Sequence, residues 1–219
     1  MTSRRSLILG LVATVGAASI AVAGREQATG LARIAAACAA CHGAAGEGNE
    51  ARSAPKLAGL DAGYMADELR KFRTGARGDA SDDRYGSQMR AVARTLKDED
   101  LKALTALLAS MPERTPVRTV AGNVANGRAL YETCASCHGG KGEGGAVPGA
   151  PRLAYQPDWY LVTALDTFRR DARGYAAGDV EGAQMAAMAK ALPDDRAVRD
   201  VAAYIATLRP PVTGGRRTR

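Results

Sequence analysis

Apolar residues recur at spacings of three and four in two separate stretches. One holds Leu101, Leu104, Leu107, Leu108 and Met111, the other Val198, Val201, Tyr204, Ile205 and Leu208. That period predicts a helix with one buried face in each stretch. Both open on acids, Asp98-Glu99-Asp100 and Asp194-Asp195, which suit the positive end of a helix dipole. A further helix is predicted from about Gly63 to Thr74, with a counterpart ending near Arg170 that Asp158 is placed to cap. Short helices are predicted over Gly30–Ala37 and Asn126–Thr133. No stretch alternates apolar and polar residues over strand length, so the chain reads as all-α. Met111-Pro112 through Pro116 interrupts the pattern as a linker, which leaves two tandem domains of three or four helices.

The two stretches belong to a repeat. Shifted by 96 positions, residues 38–96 align on 134–192 with 27 identities among 59 positions and no gap. Gly46-Glu47-Gly48 falls on Gly142-Glu143-Gly144, and Pro55-Lys56-Leu57-Ala58 on Pro151-Arg152-Leu153-Ala154. Tyr64, Leu69, Phe72 and Arg73 meet Tyr160, Leu165, Phe168 and Arg169. Two copies of a unit this long mean duplicated domains rather than a solenoid.

Residues 1–23 form a third region. Arg4 and Arg5 precede an apolar run from Leu7 that ends Ala21-Val22-Ala23, the pattern of a secretory signal cleaved after Ala23. An uncleaved anchor is the competing reading, because the run is at the short limit for spanning a bilayer. The expected organisation is therefore signal 1–23, first domain 24–115, and second domain 116–219 with a basic tail. Net charge is +7 over 219 residues, and the excess gathers near the termini at Arg4, Arg5, Arg216, Arg217 and Arg219. Elsewhere basic and acidic residues interleave, which argues against nucleic-acid binding.

Chemistry concentrates in few residues. All four Cys and both His lie in two copies of one motif, Cys38-Ala-Ala-Cys41-His42 and Cys134-Ala-Ser-Cys137-His138. None is left for a disulfide, a Ser-His-Asp triad or a multi-histidine metal site. Cys-x-x-Cys-His is the attachment signature of c-type haem: the two thiols form thioethers with the haem vinyl groups, and the adjacent His faces the iron. A zinc site would need a fourth ligand in each repeat, and a thioredoxin-like dithiol would want a βαβ setting. Two covalently attached haem c groups are expected. The sixth ligand falls to Met89 and Met185, which pair with each other in the repeat and follow their His at equal spacing, each after a Gln. Met65, Met111 and Met188 pair with Leu161, Leu208 and Val92 and read as core. Imidazole-thioether ligation fills the iron and raises its potential relative to bis-imidazole ligation, which suits electron transfer rather than bond chemistry. The runs Gly43–Gly48 and Gly139–Gly145 lack a Gly-Lys-[Ser/Thr] ending and read as tight loops, not phosphate cradles. Arg73, Arg77, Arg169 and Arg173 recur in both halves and read either as propionate partners or as solvated helix ends.

At these residues the chain resembles the two-haem class I cytochromes c, and most closely the cytochrome c4 family, over nearly the whole length after residue 23. The resemblance implies that the Pro55 and Pro151 carbonyls accept the Nδ1–H of His42 and His138. It also implies domains packed with their haem propionate edges facing, and a periplasmic shuttle. The partners it implies are redox proteins: a quinol-oxidising membrane complex, a terminal oxidase or a reductase, with peripheral membrane association left open. The chain departs from the family in its neutral-to-basic domains and Arg-rich tail. The alternative is an electron-accepting subunit of a dehydrogenase complex, since the haem subunit of flavocytochrome c sulfide dehydrogenase is a similar tandem. A two-haem enzyme, such as a peroxidase or a thiosulfate dehydrogenase, would need an open or unusually ligated iron, for which no spare His or Cys exists.

Overall fold

The computed structural model describes residues 30–210, so the export reading of residues 1–23 lies outside the described residues. Helix α1 covers residues 30–42. It is followed by a single 3-10 turn at Glu50–Arg52, α2 at Ala62–Thr74, α3 at Arg84–Ala93 and α4 at Asp98–Ser110. The second half repeats the order with α5 at Val124–His138, α6 at Asp158–Arg169, α7 at Val180–Lys190 and α8 at Asp195–Ile205. Among the described residues the only β pairing is one isolated bridge, Asn49 to Ala54. The fold is two tandem four-helix units.

Caps explain several boundaries. The Asp61 and Asp194 carboxylates accept the backbone N–H of Tyr64 and Ala197, each at 2.8 Å, which satisfies donors that a helix start leaves free. Helix α4 has no side-chain cap but carries Asp98, Glu99 and Asp100 in its first turn, where the dipole favours them. Each unit then buries one stripe. Leu60, Met65, Leu96, Leu101, Leu104 and Leu108 form the first core, and Tyr131, Leu161, Val201, Ala202 and Ile205 the second. The second unit closes α5 onto α8 at Gly127, where a Cβ would lie 1.9 Å from the Asp200 carbonyl oxygen. Only glycine allows that crossing.

Four expectations are corrected. The helices before the motifs continue through them, because nothing in Cys-x-x-Cys-His breaks a helix and Gly43 or Gly139 follows at positive φ. Helices α3 and α7 arise where none was expected. Met188 is 40% exposed and Val92 44%, so this pair faces outward and is not core, whereas Met65 is buried and Met111 packs on the first core. Asp158 is the first residue of α6 rather than its N-cap, which is Pro157, although its carboxylate accepts from Trp159 N in the first turn at 2.9 Å. On a residue 1% exposed, that carboxylate also accepts from Thr119 N at 2.8 Å, Val120 N at 2.9 Å and Thr119 Oγ1 at 2.9 Å. The connection between α4 and α5 is thus a strap tied to the second unit. Asp200 extends the tie by accepting from Asn123 N at 2.7 Å and Asn126 Nδ2 at 2.8 Å.

The two halves meet through equivalent residues. Arg173 Nη2 donates to the Tyr64 hydroxyl at 3.0 Å, and Arg77 Nη2 to the Tyr160 hydroxyl at 3.3 Å. Gln156 Nε2 donates to the Lys56 carbonyl at 3.0 Å. The two arginine–tyrosine bonds exchange roles, which describes a pseudo-two-fold axis between the repeats.

Candidate functional site

Each motif occupies the end of the first helix of its unit, Cys38–His42 on α1 and Cys134–His138 on α5. Residues three apart share a helix face, so both thiols of a motif point the same way. The first cysteine of each is half-buried against the core and the second is exposed, and all four are free. Burial pushes the Cys38 and Cys134 thiols above their ordinary range, which disfavours a thiolate and with it the redox-dithiol reading. Among the described residues no group of three or more His, Cys, Asp and Glu is arranged to hold a metal ion, as a zinc site would require.

The imidazoles are built alike. His42 is 6% exposed and His138 7%. Nδ1 lies 2.8 Å from the Pro55 carbonyl in one and 2.9 Å from the Pro151 carbonyl in the other. A carbonyl only accepts, so Nδ1 carries the proton and donates. Burial lowers both imidazoles from their ordinary value and favours the neutral ring. Each ring therefore presents a fixed Nε2 lone pair, the form that binds a metal.

The glycine runs hold these prolines in place. Gly48 N donates to the His42 carbonyl at 2.8 Å, and Leu57 N and Ala58 N both donate to the Gly46 carbonyl. The same bonds recur at Gly144, Leu153, Ala154 and Gly142. A Cβ on Gly144 would stand 2.5 Å from Arg152 N, so the loop passes against the segment that carries Pro151. Both runs are tight loops that deliver a carbonyl to the imidazole.

Met89 and Met185 sit mid-helix on α3 and α7, each half-buried, and Met185 packs on the cluster of Phe168, Ala186 and Ala189. The preceding Gln88 and Gln184 are exposed, as adjacent residues on a helix diverge by about 100°. Asp83 and Asp179 start these helices by accepting from Gly86 N at 2.8 Å and Gly182 N at 3.1 Å. A Cβ on either glycine would lie 2.0–2.1 Å from the capping carboxylate. That cap was legible, since Asp83 and Gly86 recur at Asp179 and Gly182 in the repeat.

The four recurrent arginines divide. Arg73 reaches Asp98 at 2.5 Å and Arg169 reaches Asp195 at 2.6 Å, so these two tie the second helix of a unit to the start of its fourth. Arg77 and Arg173 stand over the rings of Phe72 and Phe168 at 4.3 and 4.4 Å and enter the junction between units. There both bond the carboxylate of Glu68. Two guanidiniums against one carboxylate leave a buried positive excess, which fits anionic propionates. Tyr64, Tyr160 and Glu68, absent from the sequence-based site, complete this cluster. Burial and the Glu68 charge push the Tyr64 phenol up to about 12, which keeps it a neutral hydroxyl.

The chain is similar to several known proteins. The cytochrome c family model matches residues 28–112 and 124–209. A thiosulfate dehydrogenase electron acceptor of Stutzerimonas stutzeri is 35% identical over 189 residues, covering 81% of this chain and 82% of the relative. Cytochrome c4 of Pseudomonas aeruginosa is 32% identical over 177 residues, covering 76% and 83%. Among solved structures, Acidithiobacillus ferrooxidans cytochrome c4 superposes with a TM-score of 0.65 at 27% identity, over 78% of this chain and 98% of that one. A thiosulfate dehydrogenase (TsdBA) of Marichromatium purpuratum superposes at 0.62 with 34% identity over 78% of this chain. The match spans only 36% of that longer chain.

Proposed function

The chain belongs to the cytochrome c family, and we propose that it is a periplasmic dihaem carrier whose irons are held by His42 with Met89 and by His138 with Met185. Two haem c groups are attached covalently, one through Cys38 and Cys41 and one through Cys134 and Cys137. The protein resembles cytochrome c4 and electron-acceptor cytochromes, and it transfers electrons rather than acting as an enzyme. The bound haem supplies a one-electron couple. The chain's part is to hold it. His42 and His138 present a fixed neutral Nε2, the thioether sulfurs favour the ferrous state, and Arg77 and Arg173 offset propionate charge. The observation that carries the ligand reading is the identical construction of the two imidazoles, each locked by a proline carbonyl at 2.8–2.9 Å.

The partners are redox proteins. Among the described residues no helix is long and apolar enough to cross a membrane, and the first 23 residues read as an export signal. We assign the chain a place between a quinol-oxidising membrane complex and a terminal oxidase or reductase. A second reading, supported by the 35% identical electron acceptor, takes electrons from a sulfur-compound dehydrogenase such as one acting on thiosulfate.

Ferric spectra and redox titrations of Met89→Ala, Met185→Ala and Met188→Ala test the ligands. The first two each remove half of the weak charge-transfer band at the red end of the spectrum and lower one potential, and Met188→Ala leaves both unchanged. Loss of the band in Met188→Ala instead would overturn the second assignment. Stopped-flow reduction by a thiosulfate dehydrogenase against reduction by a quinol-oxidising complex separates the two donors.

A further inference from the structure

Duplication sets a problem at the junction. A residue lying on the pseudo-two-fold axis meets its own copy, so every cation there is brought against a like charge. Arg77 meets Arg173, their side chains 15% and 9% exposed, and Lys56 meets Arg152, both at most 8% exposed. Like charges held out of water repel, which drives the units apart.

Each pair is bridged by one acid that the other repeat lacks, which offsets part of the repulsion. Glu68 Oε2 accepts from Arg77 and, at 2.8 Å, from Arg173, while Glu68 Oε1 lies 3.6 Å from Lys71 Nζ, which also reaches Asp179 of the second unit at 2.6 Å. The position equivalent to Glu68 is Ala164. Glu113 Oε1 accepts from Arg152 at 2.9 Å and lies 3.6 Å from Lys56 Nζ, and its equivalent at the shifted register is Pro210. The paired cations are matched in the repeat and their bridging acids are not; Lys71 beside Glu68 is likewise unmatched, its equivalent being Thr167.

We propose that Glu68 is the positioning residue that docks the two haem domains, by bridging the arginine pair that duplication places on the axis, and that this unduplicated carboxylate makes the two haem environments electrically unequal. The inference rests on the two-haem reading above. A negative charge stabilises the oxidised form of whichever iron is nearer, so a carboxylate held from one side adds an increment to the separation between the two potentials. Moving it to the other repeat reverses that increment.

The test uses the full holoprotein with Glu68→Gln, which keeps volume and hydrogen bonding but not charge, and with the pair Glu68→Ala and Ala164→Glu, which moves the carboxylate across the axis. Small-angle scattering reads the docking, and spectroelectrochemistry reads both potentials. Glu68→Gln raises the radius of gyration and shifts the separation between potentials. The pair returns the radius to its wild-type value and shifts the separation further in the same direction. Glu68→Gln with wild-type radius and wild-type separation overturns the proposal, as does a pair variant that fails to recover the radius. A haem count below two per wild-type chain would instead undo the functional reading, and the scattering arm would still judge Glu68.

Discussion

Tyr131 is the most informative single side chain to remove, because the molecule already contains its deletion. In the second unit the ring is 2% exposed, stands 5.4 Å from the Tyr204 ring, and donates its hydroxyl to the Gly139 carbonyl at 2.7 Å. The equivalent position in the first unit is Ala35, and there a half-open pocket of about 190 Å³ lies, lined by Ala35, Cys38, Ala39, His42, Leu57 and Met111. Tyr131→Ala should open the same space beside Cys134 and His138. Truncating a buried aromatic costs about 3–5 kcal/mol. The lost hydroxyl bond accounts for about 1 kcal/mol of this, which Tyr131→Phe isolates. The converse, Ala35→Tyr, fills the first pocket and places a hydroxyl near the Gly43 carbonyl, for a gain of about 1–2 kcal/mol. Guanidinium unfolding of the holoprotein, followed separately through helix content and the haem absorption of each unit, measures all three. A cost below about 1 kcal/mol for Tyr131→Ala would refute the reasoning, since the ring could not then be what fills the space.

Two further outcomes follow from buried carboxylates. Asp158→Ala strips the acceptor from Thr119, Val120 and Trp159, so it should destabilise the second unit by about 3 kcal/mol and expose residues 111–123 to limited proteolysis; a protease-resistant strap would contradict its role. Burial alone would raise the Glu68 carboxyl, but Arg173, Arg77 and Lys71 override it and hold the group at about 2, below its ordinary 4.5. A depressed carboxyl stabilises fully above its ordinary value and loses that contribution as pH falls towards the depressed one. Docking should therefore persist through pH 4.5 and fail between there and about 2, a difference of roughly 3 kcal/mol; scattering across that range should show the transition in the wild type and not in Glu68→Gln.

Much of the fold and site could be read from the chain because duplication doubles the signal. The stripes of α4 and α8, the attachment motifs and the matched spacing of Met89 and Met185 each appear twice, and agreement between copies separates a ligand from core filler. The pattern does not mark α3 and α7 because Ala and Gly make up half of the apolar residues of α3 and most of those of α7, which leaves little contrast between faces. Asp83 and Asp179, with their glycines, were the available sign. Met188 misleads for the opposite reason. Its partner Val92 is apolar too, and an apolar pair suggests burial, yet an exposed apolar residue is common on a folded surface.

The junction stayed hidden for a deeper reason. Self-alignment shows which positions are equivalent, and it says nothing about which equivalent positions touch. Arg77 and Arg173 read naturally as two copies of one propionate partner, each confined to its own unit. Once the axis passes between them, their identity becomes a repulsion that an unmatched residue must cancel. The positions where the repeats disagree then become the informative ones. Glu68 against Ala164, Glu113 against Pro210 and Ala35 against Tyr131 mark where the two copies of one domain diverge at their junction and cores. Identities describe the domain that was duplicated, and the mismatches describe how its copies were joined.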